Sequence, residues 1–106
     1  MGFFDIFKQP DINQGVKEWK NTPGAVLLDV RTGEEYRAGH IPGSTNVPLQ
    51  TIDGVLSLAN EKDTPLYVYC LSGGRSRQAV SALQHMGYTD VHNIGGISAY
   101  TGKVER

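Results

Sequence analysis

The chain has 106 residues, enough for one domain with one hydrophobic core. Ten lysines and arginines against eleven aspartates and glutamates leave a formal net charge of −1, so there is no basic field to gather nucleic acid or an anionic membrane, and any bound anion must be held by a local site. A single cysteine excludes an internal disulfide, the disulfide-rich secreted class and any multi-cysteine metal site.

The N-terminus, Met1-Gly2-Phe3-Phe4-Asp5-Ile6-Phe7-Lys8, is apolar but short. It has no basic leader and no sustained apolar run, which makes it a poor signal peptide and too short to span a bilayer. It reads as a strand or helix end packed on the core, with a docking or membrane-surface segment as the alternative. The expected location is the cytoplasm.

Asp11 is a good N-cap for a short helix that places Ile12, Val16 and Trp19 on one face. Asn21-Thr22-Pro23-Gly24 breaks it. Ala25 to Val30 is continuously apolar until Asp29, the pattern of a parallel strand covered on both faces. Thr32 and Glu35 have capping-box spacing, so a short helix is predicted over Glu34 to Ala38, ending at Gly39. Ile41-Pro42-Gly43 is a turn, and Asn46-Val47-Pro48 can be only a short strand because Pro48 cannot donate to a ladder. Ile52, Val55, Leu56 and Ala59 predict the apolar face of another helix. Leu66 to Tyr69 is a second strand, ending at Cys70. Ser76 to Met86 is a helix with Ala79, Val80, Leu83 and Met86 inward and Gly87 after its end. Val91 to Ile94 is a third strand, and Gly95-Gly96 turns the chain into a terminal segment.

Strands alternating with helices imply an α/β fold: one domain over residues 1–106, with residues 1–10 as an N-terminal segment and a central, mostly parallel sheet flanked by helices on both faces. Such sheets bind ligands beyond the carboxyl ends of their strands. Asp29 and Cys70 both stand at such ends.

The segment Tyr69-Cys70-Leu71-Ser72-Gly73-Gly74-Arg75-Ser76 follows a strand and opens a helix. Small residues at Ser72, Gly73 and Gly74 allow a tight curve whose amides point inward, and a ring of amides over a helix N-terminus cradles anions. Arg75 adds a forked cation, and the hydroxyls of Ser72 and Ser76 can donate. In that setting a thiol has a depressed pKa and is nucleophilic. The same cradle would hold a thiolate, an anionic persulfide or a bound oxyanion. The alternative is a buried structural cysteine before an ordinary glycine-rich turn.

The spacing Cys70-x-x-Gly73-x-Arg75, followed by Ser76, resembles the active-site loop of the rhodanese family. Leu28-Asp29-Val30-Arg31, Glu35-Tyr36, Gly39-His40-Ile41-Pro42-Gly43-Ser44 and Asn46-Val47-Pro48 resemble a second family segment, and Gly87-Tyr88, Val91 and Gly95-Gly96-Ile97 a third. The resemblance runs from about Ala25 to Tyr100. It implies a single-domain sulfurtransferase in which Cys70 takes a sulfane sulfur from a small anionic donor such as thiosulfate, holds it as a persulfide, and passes it to cyanide or a thiol. Loop residues Leu71 to Ser76 would bind the donor, with Arg75 orienting it. Asp29 and Arg31 would support the loop, the carboxylate accepting loop amides or pairing with an arginine. His40 is expected to be a structural hydrogen-bonder, and His85 and His92 surface residues.

Three positions depart from the family pattern. Leu71 stands where many sulfurtransferases carry a basic residue, which weakens attraction for dianionic thiosulfate and points to a less charged donor. Tyr100 takes the place of a frequent Trp. The chain stops soon after it, so a shortened last helix is expected.

The alternatives are a sulfur carrier loaded by a relay protein, a non-catalytic docking or sensing module, and a cysteine-based phosphatase or arsenate reductase. The last usually has one more residue between cysteine and arginine. No metal and no cofactor beyond the transient persulfide is expected, no nucleic-acid or membrane partner, and a monomer.

Overall fold

The computed structural model describes residues 10–106. The apolar N-terminal segment, read as a packed strand or helix end, lies outside the described residues. Four strands, β1 (Val26–Asp29), β2 (Thr45–Asn46), β3 (Leu66–Cys70) and β4 (Val91–Gly96), form one parallel sheet in the order β2-β1-β3-β4. The helices are α1 (Ile12–Lys20), α2 (Gly33–Ala38) and α3 (Gly74–His85), with 3-10 segments at Leu49–Ser57 and Ile97–Ala99.

Alternation along the strands divides the core between the two faces of the sheet. Leu28, Val30, Leu66, Val68 and Cys70 face one side, where Ala79 and Leu83 of α3 and Val55 of the first 3-10 segment cover them. Leu27, Tyr67, Tyr69 and Ile94 face the other, under Ile12 and Val16 of α1. Both faces are therefore dry, and β3 is buried along its whole length, which accounts for its continuously apolar sequence. Burying a side chain such as Leu28 or Val68, each 0% exposed, contributes about 2 kcal/mol.

Local signals place the elements. The Asp11 carboxylate accepts from the Asn13 amide at 3.0 Å and caps α1. The Thr32 hydroxyl accepts from the Glu35 amide while the Glu35 carboxylate accepts from the Thr32 amide, completing a capping box at α2. Gly87, at φ +105°, follows the end of α3.

The structure corrects several expectations. The apolar face over Ile52 to Ala59 lies mostly in 3-10 turns, kinked at Thr51. At three residues per turn Ile52 and Val55 stack, and Leu56 turns outward to 45% exposure. Helix α3 starts at Gly74, two residues before the predicted Ser76, because Gly73 takes a left-handed conformation (φ +108°) and serves as its N-cap. Gly95 and Gly96 are the last two residues of β4, so the strand runs two residues beyond the expected Ile94. There the register slips by one residue, with Asn93 opposite Val68 but Gly95 opposite Tyr69. This is a β-bulge, accommodated by Gly95 at φ +107°. After Tyr100, which packs against the α1-side core, the chain runs back and Glu105 bridges His40 in antiparallel fashion.

Candidate active site

Cys70 ends β3 at the carboxyl edge of the sheet and is 1% exposed. The chain then curls over its sulfur. The Gly73 amide donates to Sγ at 3.0 Å and the Ser76 amide at 3.3 Å. Sγ also lies 3.4 Å from the Ser76 hydroxyl. Gly73, in the left-handed region at φ +108°, turns the chain from the Cys70 loop into α3.

The backbone of β4 closes the loop from behind. Cys70 stands opposite Gly96, and a Cβ at Gly96 would fall 2.2 Å from the Leu71 carbonyl oxygen and 2.5 Å from Ser72 Cα. Only glycine permits that approach, and the Ser98 amide secures it by donating to Leu71 O at 3.1 Å.

Burial alone would raise the pKa of Cys70. Hydrogen bonds from the Ser76 hydroxyl and from the Ser76, Gly73 and Ser72 amides outweigh it, and the net direction is below the ordinary thiol value. The thiolate is thus stabilised by dipoles within the loop, in addition to the N-terminus of α3.

Asn93 was not singled out from the sequence. Its Oδ1 accepts from the Gly95 amide at 3.0 Å and from the Ser76 hydroxyl at 2.7 Å, and its Nδ2 lies 3.4 Å from Gly73 O. A backbone amide can only donate, so the Gly95 contact fixes which end of the Asn93 amide is oxygen. Ser76, 0% exposed, therefore has one proton for Asn93 Oδ1 and for Gly73 O at 3.0 Å, while the neutral Cys70 thiol donates to its oxygen; toward a thiolate the same proton lies within reach of the sulfur. No signal in one strand of sequence marks this role, because it depends on the bulge that brings β4 under the loop.

Arg75, expected to bind or orient an anionic donor, is engaged by a carboxylate. Its two terminal nitrogens donate to the two carboxylate oxygens of Glu35, at 2.7 and 2.9 Å. Glu35, expected in the capping box and in the Glu35-Tyr36 pair of the family segment, has an Oε1 that serves both the Thr32 amide and Arg75. Arg75 lowers the pKa of Glu35 to about 2, with the Thr32 amide contributing. Leu71, next to Cys70, is 45% exposed, and Ser72 and Gly74 are exposed as well.

Asp29 and Arg31 pair with each other. Arg31 Nε and Nη2 donate to the Asp29 carboxylate at 3.0 and 2.7 Å, and the Arg31 amide adds a third bond. The side chains are 0% and 6% exposed. Arg31 Nη2 also donates to Gly39 O at 2.7 Å, and Asn46 Nδ2 donates to both Asp29 O and Arg31 O. The pair thus holds the turn after α2 to β1 and β2. The Asp29 carboxylate, expected to accept loop amides or pair with an arginine, is paired with Arg31. His40 stacks on Tyr36, lies 2.8 Å from its carbonyl oxygen through Nδ1, and pairs with Glu105. His92 stacks on Tyr67 and pairs with Asp90, and His85 is exposed.

A groove of about 320 Å³ lies beside β2, lined by Asn46, Thr51 and Asp53 among others, and includes none of the loop residues. Among the described residues no group of three His, Cys, Asp or Glu is placed to hold a metal ion, and no helix is long and apolar enough to cross a membrane.

Comparison with known proteins gives a family match and named relatives. The family model described as "Rhodanese-like domain" matches residues 13–103. The chain is 38% identical over 71 residues to "Thiosulfate sulfurtransferase PspE" of Escherichia coli (strain K12), covering 66% of this chain and 68% of that protein. It is 39% identical over 80 residues to "Putative sulfur carrier protein YrkF" of Bacillus subtilis (strain 168), covering 74% of this chain and 43% of that protein, so it spans less than half of that relative. Among solved structures it resembles "rhodanese with anions from E. coli" with a TM-score of 0.73 at 32% identity, covering 77% of this chain and 98% of the other.

Proposed function

The chain belongs to the rhodanese-like domain family, and on that premise we propose that it is a sulfurtransferase whose nucleophile is Cys70. The thiolate attacks the outer sulfur of a sulfane donor such as thiosulfate. A new S–S bond forms to Cys70, the bond to the sulfonate sulfur breaks with its electron pair, and sulfite leaves. The product is an anionic persulfide on Cys70. Cyanide or a thiolate then attacks the outer sulfur and returns Cys70 as thiolate. Neither step needs an external oxidant or reductant.

The observation that carries this reading is the convergence of the Gly73 and Ser76 amides and the Ser76 hydroxyl on one buried sulfur. These dipoles favour a negative charge whether it sits on the thiol or one atom further out. The loop closes tightly around Cys70, which suits a terminal sulfur atom. The five-position interval from Cys70 to Arg75 and the engagement of Arg75 by Glu35 weigh against a tetrahedral phosphate or arsenate. In this account Leu71, Ser72, Gly73, Gly74 and Ser76 form the rim and cradle, and Arg75 anchors the end of the loop to α2. Asp29 and Arg31 hold the neighbouring turn. With one cysteine there is no resolving thiol, so the persulfide is discharged by an external acceptor, which fits a monomer working in the thiol-rich cytoplasm.

A second reading, in which Cys70 is a carrier loaded by another protein of a sulfur relay, is favoured by the similarity to a putative sulfur carrier. It uses the same persulfide. The test is thiocyanate formation from thiosulfate and cyanide, with Cys70→Ala as control. Cysteine-dependent turnover supports the enzyme. Loading only from a cysteine desulfurase supports the carrier, and no loading from thiosulfate, polysulfide or a desulfurase refutes both.

A further inference from the structure

The Cys70 loop contains one arginine, and its guanidinium is matched to a carboxylate through two hydrogen bonds of 2.7 and 2.9 Å. The carboxylate is held in turn. Glu35 Oε1 accepts from the Thr32 amide at 2.9 Å and lies 3.2 Å from the Thr32 hydroxyl, so it cannot swing away without opening the cap of α2. Glu35 and Arg75 are both about one-third exposed, at the surface beside an exposed Leu71. A bidentate ion pair presents almost no net charge to a third ion approaching it. The anionic sulfur in the cradle relies instead on neutral amides and a hydroxyl.

From this geometry we infer that Glu35 is a specificity-determining residue: by taking up the charge of Arg75 it makes the Cys70 site discriminate against dianionic sulfur donors in favour of monoanionic ones. This inference rests on the proposed sulfur transfer at Cys70. The relevant comparison is between thiosulfate, a dianion, and an organic thiosulfonate, R–SO2–S⁻, which carries the same outer sulfur on a sulfonyl group with one charge fewer. In each case the Cys70 thiolate attacks that sulfur and the S–S bond to the sulfonyl sulfur breaks. Sulfite leaves from the first and a sulfinate from the second, and charge is conserved.

The test is kcat/KM for both donors with cyanide as common acceptor, in the intact protein and in Glu35→Gln. Glutamine keeps an oxygen for the Thr32 amide, so the cap of α2 survives while one fork of Arg75 is released. Removing one negative charge near the mouth should raise kcat/KM by about threefold per unit of donor charge. Thiosulfate should therefore gain about tenfold, the thiosulfonate about threefold, and their ratio about threefold. An unchanged ratio, or a fall for thiosulfate, overturns the inference. A measurement on the unaltered protein stands beside it: kcat/KM for thiosulfate should depend weakly on ionic strength, and a steep fall with added salt would show a free cation at the mouth and overturn it too. If both donors load Cys70 and the ratio stays fixed, only the role of Glu35 fails. If neither donor loads it, the sulfur-transfer reading fails as well.

Discussion

Replacing Ser76 by alanine separates the chemistry of the loop from its folding. The Ser76 hydroxyl lies 3.4 Å from Cys70 Sγ and is also within reach of Asn93 Oδ1 and Gly73 O. A hydrogen bond to a charged group is worth about 1.5–3 kcal/mol, and this proton is shared, so the low end applies. At about 1.4 kcal/mol per pKa unit, Ser76→Ala should raise the pKa of Cys70 by about one unit and reduce its thiolate fraction at pH below that value about tenfold. The fold should lose only about 1 kcal/mol. Asn93 Oδ1 keeps the Gly95 amide, and Gly73 O keeps the Arg77 amide at 3.1 Å, so no buried group is orphaned. Thiolate absorbance followed through a pH titration reads the shift without ambiguity, because the protein has one cysteine. Urea denaturation supplies the stability. An unchanged or lower pKa would show that the proton stays with Asn93 and would refute the account of how the thiolate is held.

Gly96→Ala should push the loop off the strand behind it, since its Cβ would meet Leu71 O at 2.2 Å. A loss of about 2–3 kcal/mol in thermal or urea unfolding is expected, with slower alkylation of Cys70. Asp29→Ala leaves Arg31 buried without its carboxylate and should cost about 3–5 kcal/mol, measured by urea denaturation; a loss below about 1 kcal/mol would mean that the pair is not what holds the turn. The Glu35 carboxylate has a folded pKa lowered to about 2 from an ordinary 4.5. Its contribution is therefore complete above about 4.5 and is lost as pH falls through about 2. With side chains about one-third exposed the Arg75 pair is worth less than about 1 kcal/mol. The urea-midpoint difference between the protein and Glu35→Gln should shrink across that interval, and a constant difference would contradict the assignment.

Features encoded within a few residues were readable from the chain. The Asp11 cap, the Thr32–Glu35 box and the two-sided burial of β3 follow from short-range pattern, and so did the position of Cys70 at the end of a strand. What the pattern left out depends on contacts between distant segments. Glu35 and Arg75 are 40 positions apart and meet only because α2 and the start of α3 converge at the same end of the sheet. Asn93 reaches Ser76 because β4 bulges before Gly95. Leu56 looked inward on a 3.6-residue period, and the 3-10 winding turned it out. The two glycines at Gly95 and Gly96 suggest a turn by composition, whereas Gly95 accommodates a bulge and Gly96 admits the backbone of the Cys70 loop.

The central claim is that Cys70 carries the transferred sulfur, and intact mass after incubation with a sulfane donor tests it most directly. The account predicts a gain of one sulfur atom, absent in Cys70→Ala and removed by cyanide with release of thiocyanate. A protein whose mass stays unchanged with thiosulfate, a thiosulfonate, polysulfide and a cysteine desulfurase, while Cys70 remains open to alkylation, would contradict it.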